Sequence, residues 1–480
     1  MYLWPIAGFS DDTDEGVYWQ SLRAMAAGHP LFSSVFSSQA PLFLPSVFPF
    51  YMAFGQTIAA ARIGIVIYAL VGVVAIYWLG SMIGGKWTGL IAAMLLVVDF
   101  HYALQARTLQ ADVPAVAIEI LAVALAVAAS RHFGRWRLAL AALAGAVTAV
   151  ATLMKLVEFV ALVPIALYLG APLLRAFDGG EGRIRRPTPV GLRIGAYAAA
   201  RDLGLVAAAG IGATLIALAP FAGSFGALWH QAVAFHLAAA RTQSASLIEN
   251  MHVLLHEGRW EGVTAALALG VALWRRDWRI GPPLLWLVAS MLILVRQVPL
   301  FEHIAIIMAP CMALMSGLAP AMLAPVATRA PGRWLARAMI LITLIVFAGS
   351  AYIALETTRQ AALAQPSRLT QAQMAAIQSF TTPGEIIVTD DQYAAAATGH
   401  DVPPELVDTS FVRVTSGYLT AAQLEAIITR DHIRVVVLAT GRLSVVPGFM
   451  PWLKEHYQKM ADFGDGNALY VRLTPGQTGS

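Results

Sequence analysis

LALAALAGAVTAVATLMKLVEFVALVPIALYLGAPLL, residues 138–174, decides the fold. As a single helix its 37 residues would run about 55 Å, well beyond a hydrocarbon core of roughly 30 Å. The segment must therefore be a hairpin, Leu138–Met154 and Leu156–Leu174, with Lys155 at the turn. Comparable apolar runs precede it at Ile63–Gly84, Trp87–Gln105 and Val113–Ser130. Others follow at Leu203–Phe221, Trp260–Trp274, Gly281–Val298, His303–Ala324 and Trp334–Leu355. Trp260–Trp274 is short and is expected to begin earlier in the preceding loop. Over 480 residues, 58% hydrophobic and 12% charged is outside soluble globular composition. The chain reads as a multi-pass α-helical membrane protein of about ten spans. Its one cysteine, Cys311, lies inside a run, which excludes an intrachain disulfide and a thiolate metal cluster.

Arginine distribution gives the orientation, because basic residues in short loops mark the cytoplasmic side. Alternate loops are arginine-rich: Arg131, Arg135 and Arg137; then Arg175, Arg183, Arg185, Arg186, Arg193 and Arg201. Next come Arg275, Arg276 and Arg279, and last Arg329, Arg333 and Arg337. The alternation assigns Asp11–Arg62, Asp112, Lys155, His303 and the C-terminal tail to the outer face of a plasma or inner membrane. Only Met1–Phe9 precedes the first acidic residues, too little to span, so a transmembrane helix upstream of Met1 is expected.

Three regions follow from this pattern. Residues 1–62 form an outer acidic loop, where Pro30, Pro41, Pro45 and Pro49 break up an apolar stretch, Pro41–Phe54, that suits interfacial helices. Residues 63–355 are the transmembrane domain. Residues 356–480 change to the composition of a small extracytoplasmic α/β domain. There Glu385–Asp390 and Ile433–Ala439 read as buried strands, Ala421–Arg430 and Pro451–Met460 as helices, and Phe463–Leu473 as a hairpin turning at Gly464-Asp465-Gly466-Asn467. It has no glycine-rich phosphate loop, which points to a structural or acceptor-guiding role.

Acidic groups in two outer loops are the candidate reaction centre, since carboxylates beside a bilayer are costly. The first is Asp11-Asp12-Thr13-Asp14-Glu15-Gly16-Val17-Tyr18; the second is Asp112, in Arg107–Pro114. Each has a bland alternative. Asp11–Thr13 are helix N-caps in waiting, and Asp112 could cap the helix opening at Val113-Pro114. Lys155 and Glu158, at i and i+3, could be no more than an ion pair. Arg62 and Arg107 could be interfacial anchors. Glu119, in mid-span, needs a partner or a proton. His252 and His256, at i and i+4, lack a third metal ligand in the sequence.

The order of these features resembles the membrane-embedded glycosyltransferases of the GT-C superfamily. The closer likeness is to the branch typified by dolichyl-phosphate-mannose-protein mannosyltransferases (family 39-like), which includes the aminoarabinose transferase acting on lipid A. The resemblance is carried by Asp14-Glu15-Gly16-Val17-Tyr18 with Gly28-His29-Pro30, by Pro41-Leu42 and Phe54-Gly55 … Ala61-Arg62, by Arg107–Pro114, and by Pro299-Leu300-Phe301-Glu302-His303. Many members carry a basic residue near the Asp-Glu pair or before the proline at Pro41. Here Gly16-Val17 and Ser38-Gln39-Ala40 stand there, leaving Arg62, Arg107, Lys155, Arg296 and His303 as candidates to bind phosphate.

The resemblance implies transfer of a sugar from a polyprenyl-phosphate donor to an acceptor hydroxyl, inverting the anomeric carbon. A phosphate leaving group needs no general acid, so one carboxylate base suffices. Asp14 is assigned as that base, with Glu15 and Asp112 orienting the acceptor or sustaining the base. Tyr18 and Glu302 are further acceptor-side candidates. Expected partners are the lipid-linked donor, membrane lipids and a protein, glycan or lipid acceptor, without nucleic acid. No cofactor is expected, and a divalent metal is not indicated. Two rival classes are a transporter built on Glu119, Lys155 and Glu158, which the absence of a hydropathy repeat opposes, and a non-catalytic scaffold of the same fold.

Overall fold

The computed structural model describes residues 6–10, 12–175, 189–242, 246–326 and 330–473. Asp11, Arg183, Arg185, Arg186 and Arg329, read above, lie outside them. The first acidic segment opens on two helices, α1 (Thr13–Ala26) and α2 (Phe43–Ala53). The bundle continues with α3 (Ile58–Gly84), α4 (Lys86–Val98), α5 (Phe100–Gln105), α6 (Asp112–Arg131), α7 (Gly134–Met154) and α8 (Leu162–Arg175). Next are α9 (Pro189–Leu218), α10 (Phe225–Trp229), α11 (Phe235–Thr242), α12 (Leu247–Glu257) and α13 (Arg259–Arg275). It closes with α14 (Gly281–Leu294), α15 (Ala309–Leu323) and α16 (Ala330–Leu363).

All ten apolar runs are helical, yet only six stretches among the described residues are long and apolar enough to cross a membrane unaided. The others are shortened or broken for local reasons. Asp99 caps α5 by accepting from the Tyr102 amide, so Trp87–Gln105 splits in two. Lys155 takes an extended conformation (φ −151°, ψ 120°) and starts a 3₁₀ turn, Leu156–Ala161, before α8. The earlier beginning expected for Trp260–Trp274 is a separate helix, α12, which ends at Gly258.

Burial separates the core from the periphery. The apolar window of α6 is 83% buried and that of Glu302–Val326 is 89% buried, whereas Arg193–Arg241 is 6% and Gly332–Ala361 is 22% buried. The first two are the centre of the bundle; the last two turn toward lipid. Small residues set the closest crossings, as expected where lipid is as apolar as leucine. A Cβ added at Gly145 of α7 would fall 2.1 Å from the Val206 carbonyl oxygen of α9.

The C-terminal domain starts with α17 (Arg368–Phe380) and is a four-stranded sheet in the order β1-β2-β4-β3. Here β1 is Val388–Thr389, β2 Val435–Leu438, β3 Tyr457–Gly464 and β4 Asn467–Arg472. β1 and β2 are parallel; the β2–β4 and β3–β4 pairs are antiparallel. The helices α18 (Gln392–Ala397), α19 (Phe411–Thr415), α20 (Ala421–Arg430) and α21 (Phe449–His456) complete it. Two expectations need correction. The strand Glu385–Asp390 shrinks to two residues, because Asp390 folds back to accept from the amides of Ala439, Thr440 and Leu443. The helix Pro451–Met460 stops at His456, because Tyr457–Lys459 pair with β4 and lengthen the hairpin. Its turn, Asp465-Gly466, has positive φ at both residues, as a two-residue hairpin loop requires.

The acidic segment, read as a loop, is helical from Thr13 to Ala26. α1 is clasped between the bundle and the C-terminal domain, with Glu15 to Leu22 buried. Its Gln20 amide donates to the His400 carbonyl, Arg23 pairs with Asp401 at 2.6 Å, and Trp19 packs edge-on to Tyr393. Gly16 permits the approach: a Cβ there would fall 2.5 Å from the Tyr393 backbone nitrogen. Gly16→Val is therefore expected to cost about 1–3 kcal/mol and to loosen this docking. Hydrogen exchange of 388–401 should rise several-fold while that of α6 stays unchanged; unchanged protection in both would disprove the clasp.

Candidate active site

The start of α1 is built to aim one carboxylate. Asp12 caps the helix, its Oδ1 accepting from the Asp14 amide at 2.9 Å, and its Oδ2 accepts from Gln110 Nε2 at 2.5 Å. The cap and the loop before α6 are thus fastened together. Successive residues on a helix point about 100° apart, so Asp14 and Glu15 face different surroundings. Glu15 is fully buried and turned inward: Oε1 accepts from Arg62 Nε (2.6 Å) and the Leu109 amide (2.8 Å), and Oε2 from Arg62 Nη2 (2.7 Å). Asp14 is half-buried, and its carboxylate has no hydrogen-bond partner among the described residues. It lines a cavity of about 460 Å³.

The same cavity is lined by Tyr18, Asp112, Lys155, Arg296 and His303, from four separate stretches of chain. Lys155 Nζ pairs with Asp112 Oδ1, with 15% and 2% of the two side chains exposed. The helix break at Lys155 makes this possible by placing its side chain at the end of α7, opposite the start of α6. Asp112 spends its side chain on Lys155, and the N-cap position of α6 is Ala111. His303 stacks on Phe301 with ring centroids 5.7 Å apart, and Arg296 is exposed. The Tyr18 ring packs edge-on to Phe43. A larger apolar groove of about 800 Å³ opens beside Gly84 and Lys86, at the far end of α3. That end is about 40 Å from Ile58 along the helix, and the groove has no carboxylate in its lining.

Electrostatics distinguish Asp14 further. Burial first, and then the neighbouring charges of Asp12, Asp408 and Asp112, push its pKa up to about 7, with Arg442 opposing. A carboxylate there takes a proton more readily than one at the ordinary value, as general base catalysis near neutrality favours. Burial also raises the Tyr18 phenol well above its usual range, keeping it a hydrogen-bond donor. The arrangement can abstract a proton at Asp14 and stabilise negative charge at Lys155, Arg296 and His303.

Not every candidate converges here. Arg62 lies outside the lining, holding Glu15 and donating Nη1 to the carbonyls of Ile6 (2.9 Å) and Gly8 (2.7 Å). Arg107 is buried against the end of α16, donating to the carbonyls of Thr357 and Thr358. Glu302 is exposed at the start of a 3₁₀ turn. These three, with Glu15, do not reach the cavity. His236 does, although nothing in one dimension singles it out; its Nε2 lies 2.8 Å from the Ser38 carbonyl. Asp408 of the C-terminal domain was also invisible, because only the docking of that domain brings it beside α1.

Behind the cavity Glu119 and Glu158 are fully buried, and Trp286 Nε1 donates to Glu119 Oε1 at 2.9 Å. Glu119 therefore has the partner that its mid-span position demands. His252 and His256 stack at 6.4 Å, but His256 is engaged by Glu257 and Arg259. Among the described residues no three His, Cys, Asp or Glu side chains group as a metal site.

A family model described as dolichyl-phosphate-mannose-protein mannosyltransferase matches residues 40–176, which include Asp112 and Lys155 and begin after α1. No curated protein sequence gives a significant match. Among solved structures, ArnT from Cupriavidus metallidurans bound to undecaprenyl phosphate aligns with a TM-score of 0.64 at 12% identity, over 99% of this chain and 96% of that one. The apo state of ArnT gives 0.62 at 14% identity, over 97% and 94%. The Archaeoglobus fulgidus oligosaccharyltransferase, solved with zinc and sulfate, gives 0.54 at 14% identity, over 97% and 70%. The chain has the multi-pass helical GT-C fold with a small C-terminal α/β domain.

Proposed function

We propose that this protein is a membrane glycosyltransferase that moves a sugar from a polyprenyl-phosphate donor to an acceptor hydroxyl on the outer face of the membrane. The observation that carries the reading is the single cavity in which Asp14, unpartnered among the described residues, shares the lining with the Asp112–Lys155 pair, Arg296 and His303. Similarity to ArnT bound to undecaprenyl phosphate, and the mannosyltransferase family model, support a lipid-linked donor. The arginine-rich loops lie at the other ends of the helices that converge on the cavity, which supports the outer face for the site.

The chemistry is a direct displacement with inversion. The acceptor oxygen attacks the anomeric carbon while its proton passes to Asp14. The bond from that carbon to the phosphate oxygen breaks, and its electron pair stays on the phosphate. A diester with one negative charge becomes a monoester with two. Fixed cations in a site poor in water stabilise that developing charge far better than they would in bulk solvent. Lys155 is the main candidate, with Asp112 holding the ammonium in place until the donor phosphate shares it. Arg296 and His303 approach from the loop between α14 and α15. Glu15 and Arg62 act one layer behind, fixing the direction of α1.

The test is sugar transfer by purified protein in nanodiscs, with a panel of radiolabelled polyprenyl-phosphate sugars. Lys155→Met is expected to lower kcat/KM for the donor about 10- to 100-fold, the range for losing a hydrogen bond to a charged group. Lys155→Arg should recover part of the loss. Consumption of no donor by the wild type, or a Lys155→Met variant equal to it, would remove the basis of the proposal.

A further inference from the structure

A second, smaller cavity lies where the first outer segment meets the C-terminal domain. It encloses about 240 Å³, with Phe32, Ser33, Phe36, Glu405, Arg413 and Gln423 in its lining. Arg413 is 6% exposed, and its guanidinium carbon sits 3.6 Å from the centre of the Phe36 ring. Nη1 donates to the carbonyls of Glu405 (2.8 Å) and Asp408 (2.5 Å). Nε is buried without a partner, Nη2 has none among the described residues, and Arg413 makes no ion pair among them. Burial lowers its pKa only to about 10, so the group stays charged. Facing the same cavity, Glu405 Oε1 is taken by Arg430 at 2.8 Å, while Oε2 is buried without a partner.

Unpaired polar atoms on two side chains that line one small cavity are costly to leave unmet. They call for a ligand that both accepts and donates. A free anion would satisfy Arg413 but be repelled by Glu405 and Asp408. A neutral polyol satisfies both sides, one hydroxyl accepting from Arg413 and a neighbouring one donating to Glu405, over a floor of Phe32 and Phe36. The volume suits one sugar ring.

The position of the cavity gives the ligand a use. The two cavities share a boundary: Gln231 lines the smaller one, and Ser38 and the next helical turn, Ala232, Val233 and His236, line the reaction cavity. Gln231 ties this boundary together, accepting from the Ser37 amide and donating to the Phe32 carbonyl, both at 2.9 Å. Ser38 Oγ donates to Asp408 at 3.1 Å and lines the reaction cavity. We infer that this cavity is an acceptor subsite that holds a neutral sugar unit of a glycan whose reacting hydroxyl lies at Asp14. The acceptor is then a glycan or a glycan-bearing molecule, and the C-terminal domain selects it. This inference rests on the glycosyltransferase reading and narrows its acceptor class.

The experiment uses the full chain in nanodiscs on an array of neutral and acidic glycans, alongside consumption of the lipid-linked donor with water as acceptor. Wild type should bind at least one neutral glycan. Glu405→Gln, Arg413→Gln and Ser33→Trp, which fills the cavity from its exposed rim without touching Arg413, should each weaken binding at least tenfold. Asp14→Asn should bind as wild type does, and Ser33→Trp should melt at the wild-type temperature. Binding of acidic glycans alone, of none, or equal binding by Ser33→Trp and wild type overturns the subsite. Failure of wild type to consume any donor instead overturns the glycosyltransferase reading, independently of what the array shows.

Discussion

Asp14→Asn is expected to lower sugar transfer about 10²- to 10⁴-fold above pH 7 while leaving the protein folded, the range for loss of a positioned general base. The substitution is nearly isosteric, and the carboxylate it replaces makes no hydrogen bond with the described residues, so no structural contact is lost. Stability should move the other way. The Asp14 pKa rises from 3.8 to about 7 on folding, so the folded state binds more protons than the unfolded chain between these values. Wild-type stability then falls as pH rises from about 4, and the penalty is complete above about 7. Asparagine carries no such penalty, so the variant should melt no lower than wild type at pH 8. Wild-type transfer should rise with pH through an ascending limb near 7, as the base loses its proton, and the residual activity of Asp14→Asn should lack that limb. Undiminished transfer with the same limb would assign the base elsewhere, Asp112 being the nearest alternative in the cavity.

The helical bundle was legible because its signal is periodic and long. A run such as 138–174 has only one arrangement compatible with a bilayer, and the break falls at Lys155 because a charged side chain is costly in mid-span. The alternation of arginine-rich loops grouped Asp14, Asp112, Lys155 and His303 at one end, and the fold brings their side chains into one cavity. What the sequence hid was direction around a helix. Asp14 and Glu15 are neighbours in an acidic cluster, yet one faces the cavity and the other a buried arginine. Arg62 and Arg107 looked like phosphate ligands because a basic residue near a bilayer has no visible partner in one dimension; their partners lie 47 and about 250 positions away. His236 and Asp408 depend on docking between distant segments, and a single chain without periodicity carries no signal for that. The shortened strand at Glu385–Asp390 has the same origin, since Asp390 is consumed by amides more than 48 residues further on.

Arg62→Met is expected to cost about 3–5 kcal/mol, because it leaves Glu15 charged and unpaired in a site where both side chains are almost wholly enclosed. The exposures are 5% for Arg62 and 0% for Glu15. Against a total stability of roughly 5–15 kcal/mol, that loss is a large fraction of the whole. Glu15→Met should be comparably damaging, since it strands the guanidinium and releases the Leu109 amide. The double variant Glu15→Met/Arg62→Met should recover much of the loss, because replacing a buried pair by apolar side chains of similar volume is often close to neutral. Thermal unfolding in nanodiscs measures the three, and the non-additivity of the cycle isolates the pair. The cycle also separates the two roles open to Arg62. If the arginine only fixes α1, the double variant keeps the wild-type KM for the lipid-linked donor, and any fall in activity appears in kcat through a displaced Asp14. If the arginine binds phosphate, Arg62→Met folds normally and raises the donor KM, and the double variant does not restore it.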